Sequence, residues 1–441
     1  MYKILLYVFL SLNLFSATLE QAQLATKTRN YKQAINLWTS LAKEGNSEAQ
    51  YSLGLIYFNG TGIKKDYYKA FKWFQKSSQQ GYAKAQYRLG ILYYDGKGTE
   101  KDNKSAFKWY EKASIQGYKY AQYRLGTMYH LIQKYKDAFN WYKNAATQGH
   151  KKSQYFLGYY YARGFGITKN LDKAFFWYKK AAKQGNIKAQ YNLALMYQEG
   201  KGTSQNDKKA FYWFQQAAKQ GYKYAQHRLA KMYHLRKDFN KAFKFYKKAA
   251  KQSHSEAQFE LALLYFNGTG VSQNYNEAFE WFTKAANQGY SRAQYDLGVM
   301  YEYGLHVKKD YNKAYSWYKK ASKKGYANAQ FDLAVLLYKG KGVKKDTKEA
   351  LKWFLKASKQ GYSKAQFEVA LLYFNGIIVE KNYSKALTLF RKLASKDFVP
   401  AQFNLGVIHE KGIAVQQDFK KSLHWYNKAA SKNYSLAQYN I

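Results

Sequence analysis

The chain has 441 residues, no cysteine, one proline (Pro400) and a formal charge of +45 from 73 basic and 28 acidic side chains. This composition excludes a disulfide scaffold, a thiolate metal site, a cysteine nucleophile and a proline-rich linker, since about 22 prolines are expected at the usual ~5%. A chain that is 46% hydrophobic and 19% aromatic is too apolar to stay unfolded in water.

In chain order, the first element is an export signal over residues 1–17. Lys3 supplies a positive start, residues 4–15 are apolar apart from Ser11 and Asn13, and Ser16, Ala17 and Thr18 are small. Twelve apolar residues are too few to span a bilayer, which needs about 20. Phe15 falls where cleavage after Ala17 prefers a small residue, so an uncleaved anchor or a buried first helix is the competing reading. Residues 18–45 read as a degenerate N-terminal capping helix pair, with Asn30 capping its second helix.

From there one unit is copied to the end. The glutamine of an Ala-Gln-aromatic triplet falls at Gln50, Gln86, Gln122, Gln154, Gln190, Gln226, Gln258, Gln294, Gln330, Gln366, Gln402 and Gln438, at intervals of 36 residues nine times and 32 twice. The eleven units are 46–81, 82–117, 118–149, 150–185, 186–221, 222–253, 254–289, 290–325, 326–361, 362–397 and 398–433. Each predicts two helices. Helix A starts near the glutamine: Leu53, Gly54 and Tyr57 share a face three, four and seven residues after Gln50. It ends at glycines such as Gly60 and Gly62.

Helix B opens on an Asp or Asn N-cap in every long unit: Asp66, Asp102, Asn170, Asn206, Asn274, Asp310, Asp346, Asn382 and Asp418. A small residue follows, such as Ala70, and then usually a tryptophan, such as Trp73. The pattern predicts close approach at Gly54 and Ala70, with Trp73, Phe74 and Tyr57 filling the space between units. The two short units lack the glycine loop, which predicts tighter turns at 130–134 and 234–238. Residues 434–441 begin another helix A and stop. An exposed last face, a covering partner and a truncated reading frame are all compatible with that.

The segment AQYSLGLIYFNGTGIKKDYYKAFKWFQKSSQQGY (49–82) resembles a Sel1-like repeat, and the short units resemble tetratricopeptide repeats. The resemblance covers about residues 30–441. It implies an all-α fold: a right-handed α-solenoid, or superhelix, of stacked antiparallel helix pairs. It also implies a scaffold or adaptor role, with bacterial members often exported and acting in envelope or host-interaction processes.

Nothing in the sequence points to catalysis. Eight histidines are present, but no His-Glu-x-x-His, and no cysteine can join one. His130 and His234 share one position of the short units and read as turn residues. Gly200-Lys201-Gly202-Thr203 lacks phosphate-loop spacing, so the glycine loops read as helix terminators. No cofactor, no metal and no sequence-specific nucleic acid is expected. Only eight of the 73 basic residues are arginine, the base-reading residue.

Charge and aromatic side chains offer two candidate surfaces. Lysines on helix B, such as Lys69, Lys72 and Lys76, form a stripe read as lying opposite the tryptophan face. That stripe is either a solvated face or a site for an anionic polymer or membrane surface. On helix A, which lines the concave groove of related solenoids, the residue after the glutamine is aromatic in eleven of twelve cases, among them Tyr87, Tyr123, Tyr295, Phe331 and Phe367; His227 is the exception. Packing between units and ligand contact both explain that ladder.

The following position changes sign along the chain. It holds Arg88, Arg124 and Arg228, then Glu260, Asp296, Asp332 and Glu368 in four successive units. Local pairing, as in Arg292 with Asp296 or Lys364 with Glu368, competes with a two-toned groove for an extended protein segment. The expected protein is a non-enzymatic, exported scaffold for protein–protein interaction, in the periplasm, on the cell surface or secreted. The alternative is a basic surface protein that binds an anionic polymer or membrane through its convex face.

Overall fold

The computed structural model describes residues 17–441. The expected export signal, apart from Ala17, lies outside the described residues. Among these there are 25 α-helices and no strand, and consecutive helices pack as antiparallel pairs. The chain divides into two compact units, one up to Gln220 and one from Gly221 onward. Each is an α-solenoid built of stacked pairs.

Caps explain where the helices start and stop. All nine predicted Asp and Asn N-caps accept a backbone N–H from the first turn of helix B, as Asp66 does from Lys69 at 2.9 Å. Each such bond satisfies one of the free amides at a helix start and contributes about 1 kcal/mol. Helix A of each long unit ends on a left-handed glycine: Gly60, with φ 73°, after Ser47–Asn59 is typical. The N-terminal pair, Leu19–Lys27 and Tyr31–Lys43, buries Ala22, Ala25 and Trp38 between its helices, and the Trp38 ring N–H donates to Thr26 Oγ1 at 2.9 Å.

The second glycine of each loop has a packing reason. A Cβ at Gly98 would collide with the Tyr67 carbonyl of the preceding repeat. The first unit keeps glycine there at Gly62, Gly98, Gly166 and Gly202. The second replaces it three times, with His306, Ile378 and Ala414, each left-handed at φ 59°, 69° and 56°. An L-residue in that region costs roughly 1–2 kcal/mol.

Three expectations about packing need correction. The core filler of helix B is the residue after the tryptophan: Phe74, Tyr110, Tyr142, Phe214 and Tyr318 are almost fully buried, as is Phe390, where Leu389 takes the tryptophan's place. The Phe74 ring lies where a Cβ on Gly54 would be 2.7 Å away, which is why that helix A position stays small. Most tryptophans are only half-buried, Trp38 and Trp281 being the buried exceptions. Nor do the lysines lie opposite them. Lys76, Lys320 and Lys356 sit over Trp73, Trp317 and Trp353 at 4.8, 3.8 and 4.1 Å from the ring centroids, one helical turn on. The lysine stem covers the ring and its charge meets the π face.

In the short units, helix A continues through Leu131 and Leu235, so the turns occupy only 132–134 and 236–238 and close on left-handed Gln133 and Lys237. His130 is therefore a helical residue. Its Nδ1 lies 2.7 Å from the Tyr160 hydroxyl of the next repeat.

The register-marking glutamine is a structural clip. Gln50 Nε2 donates to the Ala42 carbonyl of the preceding helix B, and its Oε1 accepts from Gln80 Nε2 at the end of its own helix B, at 3.1 and 2.8 Å. The motif recurs at Gln86 with Gln116, Gln154 with Gln184, Gln258 with Gln288 and Gln330 with Gln360. Lysine replaces the second glutamine at Lys324, Lys396 and Lys432. There the buried Oε1 atoms of Gln294, Gln366 and Gln402 have no partner.

Candidate binding face on the first helices of the repeats

The sign-changing position lies on helix A, one residue beyond the aromatic ladder. The ladder itself packs. Tyr295 lies 5.6 Å from the core ring Tyr318 and 5.3 Å from Tyr326, which opens the next repeat. Phe331 meets Phe354 and Tyr362 in the same way, as Phe367 meets Phe390 and Phe398. In the first unit Tyr87 and Tyr123 contact Tyr110 and Tyr142. The exception, His227, is 4% exposed and stacks on His254 at 4.6 Å.

In the second unit this framework sets Glu260, Asp296, Asp332 and Glu368 half-buried beside aromatic rings. None of the eight ion pairs among the described residues includes any of the four. The local pairing expected from sequence does not form: neither Arg292 with Asp296 nor Lys364 with Glu368 is within salt-bridge distance. Arg228, at the same position one repeat before Glu260, is also half-buried and in no ion pair.

Burial has a measurable consequence. Desolvation pushes the Asp296 carboxyl up to about 7, with Arg292 only partly opposing it. Asp332 is raised to about 6 by burial, with the Tyr295 hydroxyl lowering it and Glu302 raising it. Glu260 is raised by burial and by Glu256, and Glu368 by burial. A carboxylate held this way has lost part of its water without gaining an ion pair in return. Glu302 joins the cluster unforeseen, accepting from the buried Tyr318 hydroxyl at 2.7 Å. Its only sequence signal was an acid where other repeats carry an aromatic side chain, such as Phe266.

The first unit carries the opposite sign on the same framework. Arg88 lies over the Phe58 ring, its guanidinium carbon 5.7 Å from the centroid, and Arg124 lies beside Tyr87. Neither arginine is in an ion pair among the described residues. No group of three or more His, Asp or Glu able to hold a metal occurs among the described residues. None of the described helices is long and apolar enough to cross a membrane.

The Sel1 repeat family model matches twelve segments, from 24–46 through 399–434. The crystal structure of a protective antigen from uropathogenic Escherichia coli is similar at 32% identity and TM-score 0.83, over 92% of this chain and 91% of that one. A Sel1 repeat protein from Oxalobacter formigenes is 32% identical over 62% of this chain and 96% of its own, with a TM-score of 0.38. No curated protein matches. Sel1 repeat solenoids typically serve protein–protein interaction. On twelve matched segments and a superposition along nearly its whole length, the chain belongs to the Sel1 repeat family.

Proposed function

We propose that this protein is a non-enzymatic, exported scaffold, and that the helix A face of its second unit docks an extended segment of a protein partner carrying lysine or arginine. The observation that carries this reading is the row Glu260, Asp296, Asp332 and Glu368. The protein has 73 basic side chains, yet these four half-buried acids pair with none of them. A folded chain retains such a cost where an incoming cation relieves it. Aromatic rings beside each acid supply surface for the aliphatic stem of a lysine. Export is supported by the signal-like pattern of residues 1–17 and by the likeness to a protective antigen. Of the lysines that suggested a polymer-binding outer face, one on each of several helices, such as Lys76, Lys284 and Lys428, has a packing role over a tryptophan.

The test is fluorescence anisotropy of a labelled 15-residue peptide alternating lysine and serine, with the full chain. Binding is expected at moderate salt. It weakens as pH falls from 8 to 5, because the raised carboxyls take up protons. Combined Glu260→Gln, Asp296→Asn, Asp332→Asn and Glu368→Gln should weaken it at least tenfold. Neutralising Glu111, Asp172, Asp207 and Glu280 instead should leave it unchanged. Absence of binding, or equal loss in both variants, overturns the reading.

A further inference from the structure

In the first unit, the helix A face opens into a cavity of about 380 Å³ at the short repeat. That volume lies within the range of small-molecule sites, about 300–1,000 Å³. Its wall combines the rings of Tyr87, Tyr120 and Tyr123 with the cations Lys119, Lys152 and Arg124, and no acidic residue lines it. Tyr120 is 43% exposed, so a large ring face is open to a ligand.

His150 forms the floor. It caps the helix Lys151–Arg163 by accepting the Ser153 N–H at Nδ1, at 3.3 Å. Burial, together with Lys119, Lys152 and Lys151, lowers its pKa to about 4. At neutral pH the ring is therefore uncharged and its proton resides on Nε2, which is a donor. The rings of Tyr120 and Tyr123 approach His150 at 5.3 and 4.9 Å. The cavity thus brings charged and neutral donors together with aromatic rings.

The junction after the second short repeat provides an internal comparison. It has the same histidine cap, His254, accepting the Ala257 N–H at 3.2 Å. There Glu256 stands where the first unit has Lys152, and Ser255 where it has Lys151. Glu256 lies 3.7 Å from His227. The histidine cap is therefore framework, as is Lys119, whose Nζ donates to the Gln148 carbonyl as Lys223 does to that of Gln252, whereas Lys151 and Lys152 are not required by it.

We infer that this cavity is a binding site for an acidic sugar, a pyranose bearing a carboxylate or a phosphate. The anionic group meets Arg124, Lys119 and Lys152, His150 Nε2–H meets a ring oxygen or hydroxyl, and the C–H face of the pyranose lies against the tyrosine rings. A small inorganic anion would leave those rings unused. The site is independent of the acidic row of the second unit.

The experiment is isothermal titration calorimetry on the full chain with glucuronate, glucose 6-phosphate, glucose and inorganic phosphate as probes. One or both acidic sugars should bind at least tenfold more tightly than glucose or phosphate, and which one binds tells a carboxylate source from a phosphate source. Lys152→Glu, which copies Glu256 at the second junction, and Tyr120→Ala should each weaken binding at least fivefold. Both positions are exposed, and unchanged circular dichroism shows that the variants fold. Lys108→Gln with Lys143→Gln, on helix B, should have no effect. Phosphate binding as tightly as glucose 6-phosphate would reduce the cavity to general attraction by a +45 chain and overturn the inference. Tyr120→Ala binding like the parent protein would overturn it equally.

Discussion

The two units apply one framework to opposite ends. The position after the aromatic ladder carries Arg88 and Arg124 in the first unit and Asp296 and Asp332 in the second, on helices of the same length with the same buried neighbours. The second loop glycine is kept throughout the first unit and lost three times in the second. A repeat separates what packing demands from what it tolerates, because every demand is visible several times over. Charge on the helix A face is tolerated in either sign, so its sign is open to selection by ligands.

The largest expected effect comes from imposing the second unit's loop on the first. Gly98→Ile places a β-branched residue in a left-handed conformation against the Tyr67 carbonyl. It should destabilise the full chain by about 2–4 kcal/mol in urea titration. A cost under about 1 kcal/mol would show that the loop yields freely and that the glycine difference between the units carries no energy.

An intermediate effect is expected from the acids. Asp296 and Asp332 bind protons more tightly folded than unfolded, so stability falls as pH rises from about 4 through 7. Asp296→Asn with Asp332→Asn should remove that slope. The gain is about 1–2 kcal/mol at pH 8, allowing for partial solvent screening, and it shrinks toward zero near pH 4. A gain that is equal at both pH values would locate the effect in packing rather than charge. The smallest effect is the reverse loop exchange. Ala414→Gly, at an exposed position, should raise stability by about 0.5–1 kcal/mol in the same titration, since relief of the left-handed strain exceeds the added chain entropy.

Much of this molecule was legible in its sequence because repetition averages out local ambiguity. The Asp and Asn caps, the left-handed glycines and the small residue facing Phe74 all stand where their spacing placed them. Distinctions between adjacent residues were harder. Trp73 and Phe74 are both large and apolar, and spacing did not show that Phe74 enters the core while Trp73 is covered by Lys76. The candidate site was legible as a row of signs but not as a set of energies. Whether Asp296 meets Arg292 depends on rotamers and burial, which no linear pattern carries. His130 was misread because loss of the glycine loop suggested that the turn began there, whereas the helix absorbs it.

The glutamine clips have a consequence for how the array comes apart. In a one-dimensional stack, each repeat is held to the next by a nearest-neighbour coupling, and cooperativity is only as long as the run of intact couplings. In the second unit, Gln294, Gln366 and Gln402 keep the bond to the preceding repeat but lose the one within their own, where lysine replaces glutamine and leaves an orphaned acceptor. A missing hydrogen bond at a buried amide is worth about 1–3 kcal/mol, comparable to the free energies that separate local opening from global unfolding. The junctions between repeats are thus kept, and the weakened contact is the one between the two helices of each of these three repeats. Amide exchange should therefore begin at the ends of Tyr311–Lys323, Tyr383–Ala394 and Phe419–Ala430, opening from their own partner helices, while the end of Tyr275–Asn287, clipped to Gln258, stays protected longer.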